Sequence, residues 1–233
     1  MTASWTVDEL AHAGPEHLDP RFVAGYDRKQ GYPDPGPDLD ALTAHGVDAS
    51  ATVIDIGAGT GRFTLAAARR FARVIAVEIS PAMREALAGR VTEAGARNVR
   101  IVPAGFIGYR HPGPPADAVH TRNALHQLPD FWKAMALHRI AGMLRPGGVL
   151  RLHDLIYDFT PAEAEQVFTG WFEAAADDPA HGYTAQEYAE HIRTEFSTFR
   201  PLMESMLEQT GFEIVEAGFR GRLYGAYTCV NKN

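Results

Sequence analysis

The chain has 233 residues, enough for one large domain or one domain with a cap. Its 45% hydrophobic content supports a sizeable core, yet no apolar run approaches the about 20 residues of a membrane-spanning helix. A formal charge of −7 opposes nucleic acid as a partner, and the early acids of Met1-Thr-Ala-Ser-Trp-Thr-Val-Asp-Glu9 do not fit a secretory signal. The expectation is a cytoplasmic protein with a small-molecule partner, no nucleic acid and no membrane contact. A homodimer is possible. The single cysteine, Cys229, can form no internal disulfide or multi-cysteine metal site and reads as core packing.

Taken in chain order, the N-terminal region reads as partly helical up to Gly31-Tyr-Pro-Asp-Pro-Gly-Pro37, where prolines and glycines stop any helix. From about residue 50 strands and helices alternate. Strands are predicted at Thr52–Ile56, Val74–Val77, Val99–Val102, Ala116–His120 and Val149–Leu152. Helices are predicted at 62–70, at 81–94 behind the cap Ser80-Pro81, and at 131–144 before a sharp stop at Arg145-Pro-Gly-Gly148. Residues 160–209 read as helices without strands. Phe212–Glu216 and Leu223–Val230 read as a closing hairpin.

This alternation predicts an α/β fold of the Rossmann-like type, a seven-stranded and mostly parallel sheet with a C-terminal antiparallel hairpin. The division expected is a helical lid over 1–40, a core over 41–155, a helical substrate cap over 156–210, and the hairpin over 211–233. Ligands of such sheets bind outside the carboxyl ends of the strands.

The glycine loop Asp55-Ile-Gly-Ala-Gly-Thr-Gly61 follows a strand and opens a helix, the context a working glycine motif needs. Its spacing is Gly-x-Gly-x-Gly. A dinucleotide fingerprint has its third glycine one place later, where Arg62 stands, and the Gly-Lys-Ser/Thr ending of a phosphate loop is absent. Asp55 at the mouth suits a cationic ligand better than a pyrophosphate. Glu78, ending the second strand, can accept both hydroxyls of a ribose. Together these favour S-adenosylmethionine (SAM), which carries an ammonium and a sulfonium.

Val53-Ile-Asp-Ile-Gly-Ala-Gly-Thr-Gly-Arg-Phe63 resembles motif I of class I SAM-dependent methyltransferases. Glu78-Ile-Ser-Pro81, Thr121-Arg-Asn-Ala-Leu-His126 and Leu144-Arg-Pro-Gly-Gly148 resemble further motifs of that family. The resemblance covers about residues 40–155 and the final hairpin. It implies SAM as cofactor, S-adenosylhomocysteine as product, and Asp55, Gly57, Ala58, Gly59, Gly61, Glu78, Ile79, Gly105, Phe106 and Asn123 as cofactor-binding residues. One departure stands out: Pro103-Ala-Gly-Phe-Ile-Gly108 has no carboxylate where many members carry an acid that contacts adenine.

The activity expected is methyl transfer to a small molecule. The alternatives are another SAM displacement or cyclisation on this fold, a non-catalytic SAM-binding protein, or an NAD-dependent oxidoreductase. Catalytic candidates are His126, after the fourth strand, and Asp154, after the fifth, with His153 on the opposite side of the sheet. Tyr26, Tyr32, Tyr157, Tyr183 and Glu195 are expected to line the acceptor pocket. His191 and Glu195 share a helix face and, with His126 or Asp154, offer metal ligands. A polar face is the commoner use of such a pair, and no metal is assigned.

Overall fold

The structure is a computed structural model that describes residues 4–233, so the first three residues of the expected lid lie outside it. Two short 3-10 turns, Glu9–His12 and Pro15–Leu18, precede α1 (Pro20–Lys29). Asp19 caps α1 by accepting the amide of Arg21, with Pro20 at the first helical position. Helix α2 (Gly36–Ala44) follows the proline-rich turn. The expected lid boundary at residue 40 falls inside α2. Leu39 and Leu42 pack on Val53, Phe63 and Val74, so α2 belongs to the core, and only the segment up to about Gly31 arches over the strand ends.

The central elements are β1 (Thr52–Ile56), α3 (Arg62–Ala68), β2 (Arg73–Val77), α4 (Pro81–Glu93), β3 (Val99–Val102), β4 (Ala116–Arg122), α5 (Asp130–Met143) and β5 (Leu144–Tyr157). The cap holds α6 (Ala164–Glu173) and α7 (Ala185–Thr194), then β6 (Thr198–Phe199) and α8 (Arg200–Gln209). Strands β7 (Phe212–Arg220) and β8 (Tyr224–Asn231) close the chain.

The sheet order is β3-β2-β1-β4-β5-β8-β7. Strands β1 to β5 run parallel, and β8 inserts antiparallel between β5 and β7. The apolar strands are buried on both faces, as parallel sheets require. Their alternate residues feed two cores. Val53, Val74, Ala118 and Val149 meet α2 and α3, whereas Ile54, Ile75, Val119 and Leu150 meet Leu137 and Ile140 of α5 and Met203 and Leu207 of α8.

Two expectations are corrected. The segment 160–209 is not purely helical, because Thr198–Phe199 pairs with Ile156–Tyr157 of β5. Nor does Arg145-Pro-Gly-Gly148 precede the fifth strand. It lies within β5 as an irregularity, with Gly147 at φ +72°, where the register against β4 shifts between Ala116 and Ala118. The sheet ladder closes on both sides of the bulge, so the turn residues kink the strand without ending it.

The cap has its own aromatic core of Leu155, Tyr157, Phe159, Trp171 and Leu223, with Phe168, Tyr188 and Phe199 packed against it. The end of α1 fastens to this cap. Gln30 Nε2 donates to Tyr183 Oη at 2.7 Å, Arg28 Nε donates to the Ala180 carbonyl at 2.9 Å, and Lys29 pairs with Glu187. No helix among the described residues is long and apolar enough to cross a membrane.

Candidate active site

At the carboxyl edge of β1 the chain turns through Gly57, Gly59 and Gly61, with φ of +72°, +54° and +89°. These are left-handed conformations that side chains resist. A Cβ on Gly57 would stand 2.5 Å from that of Ala124, and one on Gly61 would stand 2.3 Å from Leu87 Cδ1. Gly57 thus lets β1 approach the β4 edge, while Gly61 seats α3 against α4. At Gly59 the nearest side-chain atom would be Tyr26 Cε1 at 3.9 Å, so the loop leaves open space under the lid.

Glu78 closes this loop from β2. Its Oε2 accepts the Gly59 amide at 2.8 Å and its Oε1 accepts the Ser80 amide at 2.7 Å. Burial raises its pKa and these amides oppose the rise. Each carboxylate oxygen can accept twice, so one site per oxygen remains for a pair of hydroxyls.

A cleft runs along this edge, lined by Gly57, Gly59, Glu78, Ile79, Gly105, Phe106 and Asn123 among others. Seven of the ten cofactor residues expected from sequence therefore line one cavity. Ala58 and Gly61 shape the loop without lining it: the Ala58 amide donates to the Val77 carbonyl at 3.2 Å.

Asp55 is a correction. It shares the strand parity of Val53, which turns it beneath α3, and it is 2% exposed. Its oxygens accept from Thr64 Oγ1 at 2.5 Å and meet His120 Nδ1 at 2.8 Å, and the His120 ring stacks on Phe63. The carboxylate braces the loop from below and does not line the cleft.

A carboxylate from another segment stands at the β3 edge. Glu9 reaches over from the lid and accepts the amides of Ile107 at 2.8 Å and Gly108 at 2.7 Å. Burial raises its pKa and these amides oppose the rise. Only the fold brings residue 9 to the β3 edge, and no local signal marks it.

Asn123 adopts φ +48°, its amide donates to the His153 carbonyl at 2.8 Å, and its buried Oδ1 has no partner among the described residues. An unpartnered acceptor in a cleft wall suits an ammonium. With the open space over Gly59 and the free acceptor sites of Glu78, it fits the residues present to SAM.

A second, larger cavity of about 960 Å³ adjoins the cleft. The two share His12, His17, Tyr26, Arg122, Asn123 and Gln127. Tyr26, Tyr183, His126 and Glu195 line the larger cavity. Two expected lining residues do not. Tyr32 is 58% exposed, its ring under the Arg62 guanidinium, because the proline-rich turn points it outward. Tyr157 stacks with Phe159, and Phe168 and Phe199 complete that aromatic cluster.

His126 sits on the short 3-10 turn after β4, and Asp154 holds that turn in place. Asp154 Oδ2 accepts the amides of Ala124, Leu125 and His126 at 3.3, 2.8 and 3.3 Å, and Oδ1 lies 2.5 Å from His126 Nδ1. Asp154 is 1% exposed and lines neither cavity, so it acts through His126. On the other ring nitrogen, His126 Nε2 lies 2.9 Å from Glu195 Oε2. Burial alone would lower the His126 pKa, but Asp154 and Glu195 push it up to about 10. Flanked in this way, the ring is engaged at both nitrogens. Asp154 and Glu195 are held low by the same contacts against the cost of their burial.

His153 lies on the opposite side of β5 from Asp154, as the strand period requires, and joins a buried network around Asp38. Asp38 accepts from Arg151 Nε at 2.8 Å and Arg122 Nη1 at 3.2 Å, and His120 Nε2 lies 3.6 Å away. Arg122 reaches from this network into both cavities. The pattern of α2 carries no hint of Asp38, because its partners come from two distant strands, β4 and β5.

The strand order and the cleft at the carboxyl edge define a Rossmann-like α/β fold. Residues 53–148 match the family described as "Methyltransferase domain". An uncharacterized methyltransferase of Geobacillus kaustophilus is 26% identical over 193 residues, covering 82% of each chain. One of Exiguobacterium sibiricum is 26% identical over 162 residues, covering 70% of this chain and 68% of that protein. Among solved structures, magnesium protoporphyrin IX methyltransferase of Synechocystis with bound S-adenosylhomocysteine aligns over 98% of this chain and 90% of its own, with TM-score 0.61 and 15% identity. The 4+2 cyclase SpnF aligns over 84% and 80%, with TM-score 0.63 and 15% identity. The methyltransferase likeness thus lies in residues 53–148, and the solved structures share the fold.

Proposed function

We propose that the protein moves the methyl group of SAM to a small-molecule acceptor in the cytoplasm. The observation that carries this reading is the shared wall of the two cavities. A cleft built around the glycine loop and Glu78 opens through Tyr26, Arg122 and Asn123 into a chamber large enough for a drug-sized molecule. SAM supplies an already activated methyl group, so placing the acceptor in line is the protein's main contribution. In this reading Glu78 holds the ribose hydroxyls, Asn123 accepts from the ammonium, and Gly105 and Phe106 flank the adenine. Tyr26, Tyr183 and the lid exclude water from the chamber. Asp154 and His126 hold the β4 edge in position beside the acceptor. The formal charge of −7 and the aromatic cap favour a small organic acceptor over nucleic acid.

A second reading, a SAM-binding enzyme that performs a cyclisation or another displacement, has its support in the likeness of fold to the cyclase SpnF. Incubation with labelled SAM and a panel of small acceptors distinguishes the two. Methyl transfer with S-adenosylhomocysteine supports the first. Methylthioadenosine, or acceptor rearrangement without loss of SAM, supports the second.

A further inference from the structure

Three side chains in the chamber wall come from two separate segments and converge on one point. His126 stands on the turn after β4, His191 on α7, and Glu195 just beyond α7. Glu195 Oε2 is 2.9 Å from His126 Nε2 and 2.7 Å from His191 Nδ1, and the three ligand atoms lie within 4.8 Å of one another. Metal–nitrogen and metal–oxygen bonds of about 2.0–2.2 Å place neighbouring donors roughly 3–3.5 Å apart, so little adjustment is needed to seat an ion.

The outward nitrogens of both rings are anchored. His126 Nδ1 meets Asp154 Oδ1 at 2.5 Å, and His191 Nε2 meets Ser197 Oγ at 2.8 Å. Imidazole ligands of metal sites show this pattern, in which the far nitrogen is tied so that the near one presents its lone pair to the ion. Such anchoring on two rings at once is more than a surface ion pair needs.

The backbone beneath is also fixed. The Phe196 amide donates to the His126 carbonyl at 2.9 Å, tying the Glu195 segment to the His126 turn. The buried Lys133 ammonium bonds both the Phe196 carbonyl and Asp130, and β6 then pairs with β5. The site is therefore built from rigid parts before any ligand arrives. All three side chains line the chamber, so the remaining coordination positions open toward the acceptor.

We propose that His126, His191 and Glu195 bind one divalent transition-metal ion of the zinc class in the wall of the acceptor chamber. Two imidazoles and one carboxylate suit zinc or iron rather than magnesium or calcium, which take oxygen ligands. The binding itself stands on the cluster alone. Its use, to coordinate an acceptor oxygen and ease loss of its proton, rests on the methyl-transfer reading.

The test titrates the chelator-stripped full-length protein, without SAM, with Zn²⁺ by calorimetry and with Co²⁺ by visible absorption. One ion per chain is expected. His191→Ala and Glu195→Gln should each weaken it at least about tenfold, and Ser197→Ala by about tenfold. His181→Ala, which removes an exposed imidazole, should leave it unchanged. Thermal melts establish that each variant folds. The absence of saturable one-to-one binding, or binding that survives in both His191→Ala and Glu195→Gln, overturns the proposal. SAM affinity is measured separately, so failure of the metal site leaves the cofactor reading standing, and the reverse.

Discussion

Glu78 accepts the Gly59 amide at 2.8 Å, which fastens the end of β2 to the middle of the glycine loop. One acid thereby shapes the loop and keeps acceptor sites for a ribose. Glu78→Ala removes both functions and should weaken SAM binding at least tenfold, since a hydrogen bond to a charged group is worth about 1.5–3 kcal/mol and about 1.4 kcal/mol is tenfold. Glu78→Gln keeps one acceptor oxygen and should lose less. Calorimetry reads both, and wild-type affinity in Glu78→Ala would remove Glu78 from the site.

Glu9 places a carboxylate at the β3 edge through the amides of Ile107 and Gly108. Under the SAM reading, this carboxylate would take the part of the acid absent from the segment after β3. Glu9→Ala should weaken SAM binding by about tenfold, the worth of one charge-assisted hydrogen bond. Tighter binding in this variant would show instead that the carboxylate occupies adenine's place.

Asp38 is buried, yet its pKa lies well below the usual carboxylate range. Desolvation pushes it up, but the contacts with His120, His153 and Arg151 outweigh that. A carboxyl whose folded pKa is depressed stabilises the fold above its unfolded value, about 3.9, and loses that contribution as pH falls toward the folded one. Wild-type thermal stability should therefore drop steeply with acid below about pH 4, and Asp38→Asn should flatten this dependence. At neutral pH the variant should lose about 3–5 kcal/mol, because its buried cationic partners are left unpaired. Matching melting curves for the two proteins at pH 7 would contradict the network's role.

Asp154 positions His126 and is too deeply buried to touch a ligand. Asp154→Asn should lower kcat by about 10²-fold, as a displaced reacting geometry does, with little change in SAM affinity. His126→Ala should likewise reduce turnover more than SAM binding. Steady-state kinetics beside calorimetry separate the two effects, and full turnover in either variant would retire the pair.

The parts of the site legible in the sequence are those whose chemistry is local. Gly57, Gly59 and Glu78 follow strands at fixed spacing, so strand ends and loop geometry carry them to one cleft. Adjacency to the loop suggests exposure for Asp55, whereas strand parity turns it under α3 onto Thr64 and His120. Tyr32 failed for a related reason: proximity to a lid says nothing of which way a turn points. No local pattern marks Glu9 or Asp38, since their contacts join distant segments. His126, Asp154, His191 and Glu195 were each singled out, but their convergence required β6 to dock on β5 and pin the end of α7.

The ligand of the glycine-loop cleft decides the function of this protein. Calorimetric titration of the intact protein with SAM, alongside NAD as a rival ligand, tests it most directly. The expected result is one SAM per chain, displaced by S-adenosylhomocysteine, with no heat from NAD. Tight NAD binding with no SAM binding would contradict it.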